Sequence, residues 1–418
     1  MTSRERIKLA LSHKEADRIP LDFGSVTVTG MHYSCVGALR EYYGLEKHPI
    51  TIAEPYQMLG LIEEDLKVAM GIDAEGVFSR TNMFGIPQTD FCEWKQDNGD
   101  IVLAPRGMNI TEDAKGHHYV HPEGDTSVAP SAKMPKGGFY FDAISRQEPF
   151  DDIEELNPDD NLEEFGIVSD TVLAEFAEDI AKAEQTGRAV TVSFGGTALG
   201  DVALVPGMNL KHPKGVRDVA EWYMATATAP EFVQYIFDKQ TDIALVNLEK
   251  LYQKVGNSID TIFICGTDFG TQISTFCSKE TYRNLYMPYY QKVNNWIHEH
   301  TTWKTFKHSC GAVEPFIPLF IESGFDILNP VQCSAKGMDP RLLKEKYGRD
   351  IVFWGGGIDT QKLLPFGTPE EVREQVKERC EIFGRDGGFV FNSIHNIQAG
   401  TPVENIVAML DSLHSYRK

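Results

Sequence analysis

The chain has no run of 18 or more apolar residues, and no apolar stretch near its first residues resembles the core of a secretory leader. The sequence therefore predicts neither a membrane span nor an export signal. It is also short of positive charge. Lys and Arg number 40 against 61 Asp and Glu, a formal charge of −21. Clustered cations are what phosphate backbones require, so nucleic acid is excluded as a partner. A disulfide framework is missing too: the seven cysteines (35, 92, 265, 277, 310, 333 and 380) are odd in number and scattered. That usage points to a reducing cytoplasm. Finally, no Gly-x-Gly-x-x-Gly follows an early strand, which removes the fingerprint of dinucleotide binding.

What is present is a rhythm. Thr2-Ser3-Arg4-Glu5 reads as a capping box opening a short helix to about Leu11, before the extended Asp17-Arg18-Ile19-Pro20. Eight short apolar runs follow, each bounded by turn residues. They are Ile19–Phe23, Asp73–Phe78, Ala189–Phe194, Thr261–Cys265, Lys304–His308, Phe325–Asn329, Ile351–Trp354 and Phe389–Asn392. The gaps carry helical patterns, among them Lys279–His298 after a Ser278 cap and Thr368–Phe383 behind Thr368-Pro369-Glu370-Glu371. Strands alternating with helices predict a single α/β domain over residues 1–418, a (β/α)8 TIM barrel, with an open doubly wound sheet as the alternative. Residues from about 80 to 160 break the rhythm. They are rich in Gly, Pro, Asp and His, with a hairpin-like Trp94–Val102 around Asn98-Gly99. An insertion after the second strand would lie on the C-terminal face, as an active-site cap or as decoration.

The chemistry concentrates at strand ends. In His308-Ser309-Cys310-Gly311, closing the fifth run, His308 and Cys310 share one face and Ser309 takes the other. Imidazole and thiolate are zinc's preferred ligands, although a half-buried His beside a structural Cys is the commoner outcome of such a pair. A third ligand could be His395, after the eighth run, or Cys333, after the sixth; spacing alone does not choose. Asp268, flanked by glycines after the fourth run, suits a general acid or base, or merely a helix cap. Asp359 holds the analogous place after Gly355-Gly356-Gly357, a stretch without the lysine that a phosphate loop needs. Asp22, Gln332 and Asn392 are further strand-end polar residues suited to line a substrate pocket. Phe269, Phe276, Trp354 and Tyr140 could stack on a planar substrate or simply belong to the core.

The order of these segments resembles the uroporphyrinogen decarboxylase superfamily. The likeness runs from Arg4-Glu5-Arg6 through Asp17-Arg18-Ile19-Pro20 to Asn392–Gln398 and Thr401-Pro402-Val403-Glu404-Asn405-Ile406. It implies a (β/α)8 barrel and a possible homodimer. Decarboxylases of that superfamily use an arginine-rich first-strand segment to hold a tetrapyrrole's carboxylates. Here Leu21–Gly30 contains no arginine, which disfavours that lyase activity. The branch of zinc-dependent methyltransferases working with corrinoid proteins is the better match, because it carries a His-x-Cys pair at strand five and a later ligand near strand eight. That later ligand is commonly cysteine in the coenzyme M enzymes, whereas His395 stands there in this chain. Gly270-Thr271-Gln272, Asn329-Pro330-Val331-Gln332 and His395-Asn396-Ile397-Gln398 are similar to stretches in enzymes that demethylate methoxylated compounds. The resemblance thus implies methyl transfer from an O-methyl donor, in particular a methoxylated aromatic, to a corrinoid protein. Methyl transfer between methylcorrinoid and a thiol, a decarboxylase, and a non-catalytic corrinoid-binding barrel are the rivals.

Overall fold

Seven of the eight apolar runs supply the strands of one parallel sheet. In the computed structural model, which describes residues 1–194 and 198–416, they are Ala74–Val77, Ala189–Val192, Thr261–Cys265, Lys304–His308, Ile327–Asn329, Val352–Trp354 and Phe389–Val390. Each is paired in parallel with its neighbour in sequence. Parallel neighbours need a crossover, and helices such as Asp170–Gln185, Pro230–Val255, Met287–His300 and Pro369–Phe383 provide it. The remaining run, around Leu21, makes a bridge rather than a strand. Asp22 N–H donates to Phe391 O (2.9 Å) and Phe391 N–H to Pro20 O (2.8 Å), while Asp73 N–H donates to Leu21 O (2.8 Å) on the other side. Pro20 has no N–H to give, which keeps this ladder short. The first and last strands are thereby joined through residues 20–22, giving a TIM-barrel-like α/β fold.

The barrel interior forms its own cluster: Ala74, Ala189, Phe306, Ile327, Val352, Trp354 and Val390. Ile7, Ala10 and Leu11 of the N-terminal helix belong to the same cluster, so that helix seals the N-terminal end of the barrel. It spans Ser3–Leu11 and has the capping box expected at Thr2 and Glu5. The Thr368 N-cap, with Pro369 in the first turn, is likewise formed, and Glu371 completes a capping box there. The helix after Ser278 is broken where the sequence suggests continuity. A wider π turn occupies Tyr282–Tyr286 before the α-helix Met287–His300. Pro288 explains the break, since it cannot donate one turn back.

Between the second and third apolar runs the chain builds two small sheets. Phe91–Lys95 and Ile101–Pro105 form the expected hairpin, with Gly99 at φ +93° in the turn. Ile101–Pro105 also pairs in parallel with Ile50–Glu54, so the extra structure recruits residues 50–60, which the sequence did not mark as strands. The second sheet joins Thr111–Glu112, His118–Val120, Ala132–Met134 and Asp142–Ala143. Gln57, on the connection between Ile50–Glu54 and Leu59–Gly60, accepts a hydrogen bond from Asn396 Nδ2 (2.9 Å) beside His395. No helix among the described residues is long and apolar enough to cross a membrane.

Candidate metal centre

The end of the Lys304–His308 strand delivers the pair its spacing predicts. His308 is buried, and its Nε2 lies 3.4 Å from Cys310 Sγ. Asn329, register partner of His308 on the next strand, takes the other ring nitrogen: His308 Nδ1 and Asn329 Oδ1 are 2.6 Å apart. Asn329 Nδ2 donates to Trp354 O, which points the amide oxygen at the histidine. His308 must then carry its proton on Nδ1, leaving a lone pair on Nε2 beside the sulfur. Ser309 turns the opposite way, as expected, and its hydroxyl accepts from Phe269 N–H.

Of the two alternatives for a third donor, the structure brings in His395. One donor atom each from His308, Cys310 and His395 lies within 4.8 Å of the others. The His308 and His395 rings meet edge-on with centroids 5.4 Å apart. Cys333 is not in this group. Its charged neighbours are Arg379, Asp339 and Glu378, and burial pushes its thiol up to about 12. Zinc–nitrogen and zinc–sulfur bonds of about 2.0–2.3 Å place tetrahedral donors about 3.5 Å apart, so the 3.4 Å between His308 and Cys310 suits a shared cation. Two imidazoles and a sulfur are a donor set zinc accepts, and three protein donors leave a coordination position open. Burial, joined by mutual repulsion at His395, holds the rings of His308 and His395 down to about 4 and about 3. Burial, then the Asp268 carboxylate, push the Cys310 thiol well above its usual range.

Asp268 sits against the same loop. Its Oδ1 accepts the Cys310 N–H at 2.7 Å. Burial raises its carboxyl above the ordinary value; the Cys310 N–H, Lys307 and His395 pull the other way. Sequence reasoning missed its neighbours. Asp201 is half-buried, accepts from Gly266 N–H (2.9 Å) and feels the Asp268 charge. Tyr223 donates to Asp268 O (3.2 Å) and stacks on Phe276 at 4.6 Å. Lys307 lies behind the loop. A lysine inside Phe306-Lys307-His308 was the available signal for that last residue.

The expected pocket residues divide. Gln332 stays close: its Oε1 accepts Gly311 N–H (2.7 Å) and its Nε2 donates to Gln272. Asp22 does not line an open pocket. It is fully buried, with Trp354 Nε1 and Ser25 Oγ donating to Oδ2 and Ser25 N–H to Oδ1, so it ties strands together. Asn392 is equally buried and donates to Asp22 O and Thr29 O, while its Oδ1 has no partner among the described residues. Asp359 does not face the site but caps its own turn, accepting from Gln361 N–H and Lys362 N–H. Of the four aromatics, Phe269 and Trp354 are core, whereas Phe276 and Tyr140 are exposed.

Gly311 makes the loop possible. Its φ is +88°, and a Cβ there would lie 2.4 Å from the carbonyl carbon and oxygen of Gly270. Gly311→Ala is expected to cost more than about 1 kcal/mol of unfolding free energy, read as a lowered denaturant midpoint.

The chain is similar to several known proteins. The uroporphyrinogen decarboxylase (URO-D) family model matches residues 145–416. A methylated-thiol–coenzyme M methyltransferase from Methanosarcina mazei is 28% identical over 197 residues, covering 47% of this chain and 47% of that protein. A uroporphyrinogen decarboxylase from Ruthia magnifica is 23% identical over 196 residues, covering 45% of this chain and 51% of its own. The chain thus spans about half the length of these two relatives. A solved structure of a methyltransferase from Methanosarcina mazei superposes with a TM-score of 0.54 at 15% identity, covering 99% of this chain and 98% of its own, a likeness of fold. With its model matched across most of the chain and the parallel barrel in place, the protein belongs to the uroporphyrinogen decarboxylase family.

Proposed function

We propose that this protein is a zinc-dependent methyltransferase that moves a methyl group from an O-methyl donor, in particular a methoxylated aromatic, to a corrinoid protein. The observation that carries the reading is the convergence of His308, Cys310 and His395 within 4.8 Å beside Asp268. His308, Cys310 and His395 would hold a zinc ion, which would supply a Lewis acid for the ether oxygen, whose departure is otherwise hard. Asp268, raised by burial, gives a proton to the oxygen left when the C–O bond breaks. Asn329 fixes the His308 ring, and Gln332 fixes the Gly311 turn. The acceptor is a cobalt(I) corrinoid on a separate protein. Residues 80–160 act as a cap over the mouth; their strand Ile101–Pro105 pairs with Ile50–Glu54, and Gln57 just beyond that strand bonds Asn396.

Incubation with a matched corrinoid protein and a panel of methoxylated phenols tests this. Release of free phenol is expected; no demethylation across the panel rejects the O-methyl donor. A second reading, methyl transfer between methylcorrinoid and a thiol, is favoured by the named activity of the Methanosarcina mazei relative. It predicts loss of methyl from methylcorrinoid on adding thiol alone. The decarboxylase reading is weakened further by Asp22, a buried acid in the very segment where cations would be needed.

Metal uptake carries a pH signature. The imidazoles, held down to about 4 and about 3, are neutral near pH 7, whereas the Cys310 thiol keeps its proton. Binding therefore displaces one proton, and raising pH favours it. The zinc dissociation constant is expected to fall about tenfold per pH unit from roughly pH 6 to 8, measured by chelator competition. A pH-independent affinity contradicts sulfur ligation.

A further inference from the structure

Lys307 has no exposed surface, yet it lies in the middle of Phe306-Lys307-His308 on a barrel strand. Its ammonium donates to Thr267 O (2.6 Å), His308 O (2.7 Å) and Cys265 Sγ (3.3 Å), so its three N–H groups meet three acceptors. Cys265 reaches this side because the strand register slips between Phe263 and Cys265, setting Cys265 opposite Lys307. Phe269, Tyr290 and Phe320 present their rings to the ammonium at 5.1, 5.7 and 5.9 Å. None of these contacts is a carboxylate. Holding an ammonium away from water on carbonyls, a thiol and ring faces is costly, and an apolar side chain of similar length would fill the space. Packing alone does not account for a lysine here.

The two carbonyls explain it better. One belongs to the peptide unit leading into Asp268, the other to the unit leaving His308. Lys307 thus clamps the Asp268 loop to the strand end that carries His308 and Cys310, and Asp268 Oδ1 closes the link by accepting Cys310 N–H. We propose that Lys307 is a positioning residue of the metal centre, which sets the spacing between the Asp268 carboxyl and the His308–Cys310 donors. The clamp stands on the hydrogen bonds alone; its consequence for zinc rests on the function proposed above.

Two readouts on the full chain test it: amide hydrogen exchange and zinc affinity by chelator competition. In Lys307→Met the Cys310 amide is expected to exchange at least about tenfold faster, with the strand amides of residues 261–263 and 327–328 unchanged. The zinc dissociation constant should rise about 10- to 100-fold, the range for loss of a group that orients ligands. Lys307→Arg should recover part of both. Lys307→Gln, which keeps a donor without the charge, serves the same comparison if the Met variant does not fold. Cys310 protection and zinc affinity both within twofold of wild type overturn the proposal. So does faster exchange spread evenly over all the strands without rescue by Arg, which marks a purely structural lysine. Should wild type take up no zinc, the metal reading fails and the exchange comparison alone decides the clamp.

Discussion

His308→Ala and Cys310→Ala are each expected to reduce bound zinc from one ion per chain to less than about a tenth at micromolar protein, with methyl transfer falling with it. Three donors are the minimum for a catalytic zinc site, so loss of one leaves two ligands and an ion that water and chelators take away. His395→Ala should behave alike, because its donor atom lies within 4.8 Å of the other two. Asn329→Ala is the graded case. It removes the acceptor that holds His308 Nδ1 at 2.6 Å and should weaken zinc affinity about 10- to 100-fold. Cys333→Ser is the internal control and should keep its metal, since Cys333 lies outside the donor group. Only Asn329 is tied to the inner cluster around Phe306 and Trp354, through its Nδ2 bond to Trp354 O, so thermal unfolding of the others should still be that of a folded barrel. Metal content by elemental analysis, read beside unfolding curves, separates loss of ligand from loss of fold.

Asp268→Asn is expected to keep zinc and lower the rate of demethylation by about 10²- to 10⁴-fold, the usual contribution of a positioned acid or base. The substitution is informative because an amide oxygen can still accept the Cys310 N–H. If Asp268 only braced the loop, Asn would be nearly silent. Because burial raises its carboxyl, the wild-type rate should also fall as pH rises through that raised value and the proton is lost. The Asn variant should show no such limb. A rate unchanged by Asp268→Asn transfers the proton to another group, and Asp201, whose carboxyl feels the Asp268 charge, is the next to test.

The parts of this molecule that were legible in the sequence are those governed by local rules. The capping box at Thr2 and the N-cap at Thr368 depend on residues within one turn and are formed as read. Apolar runs bounded by turns gave seven strands, because a buried parallel strand needs little more than such a run. His308 and Cys310 share a face because a strand's period is two. Non-local facts were harder to read. The choice of His395 over Cys333 depends on how two loops descend on the mouth. Residues 50–60 join the extra sheet through a partner some 50 positions away. Asp22 looked like pocket lining because its strand-end place is right, but Ser25 and Trp354 close over it. Lys307 is hidden for a related reason. A register slip on the neighbouring strand, invisible in a pattern of apolar and polar residues, brings Cys265 to its side.

Elemental analysis of active, purified protein is the most direct test of the central claim. The account predicts one zinc per chain, removable by a chelator together with methyl transfer and restored with it on adding the metal back. Full activity in protein that holds no metal at any stage would contradict it.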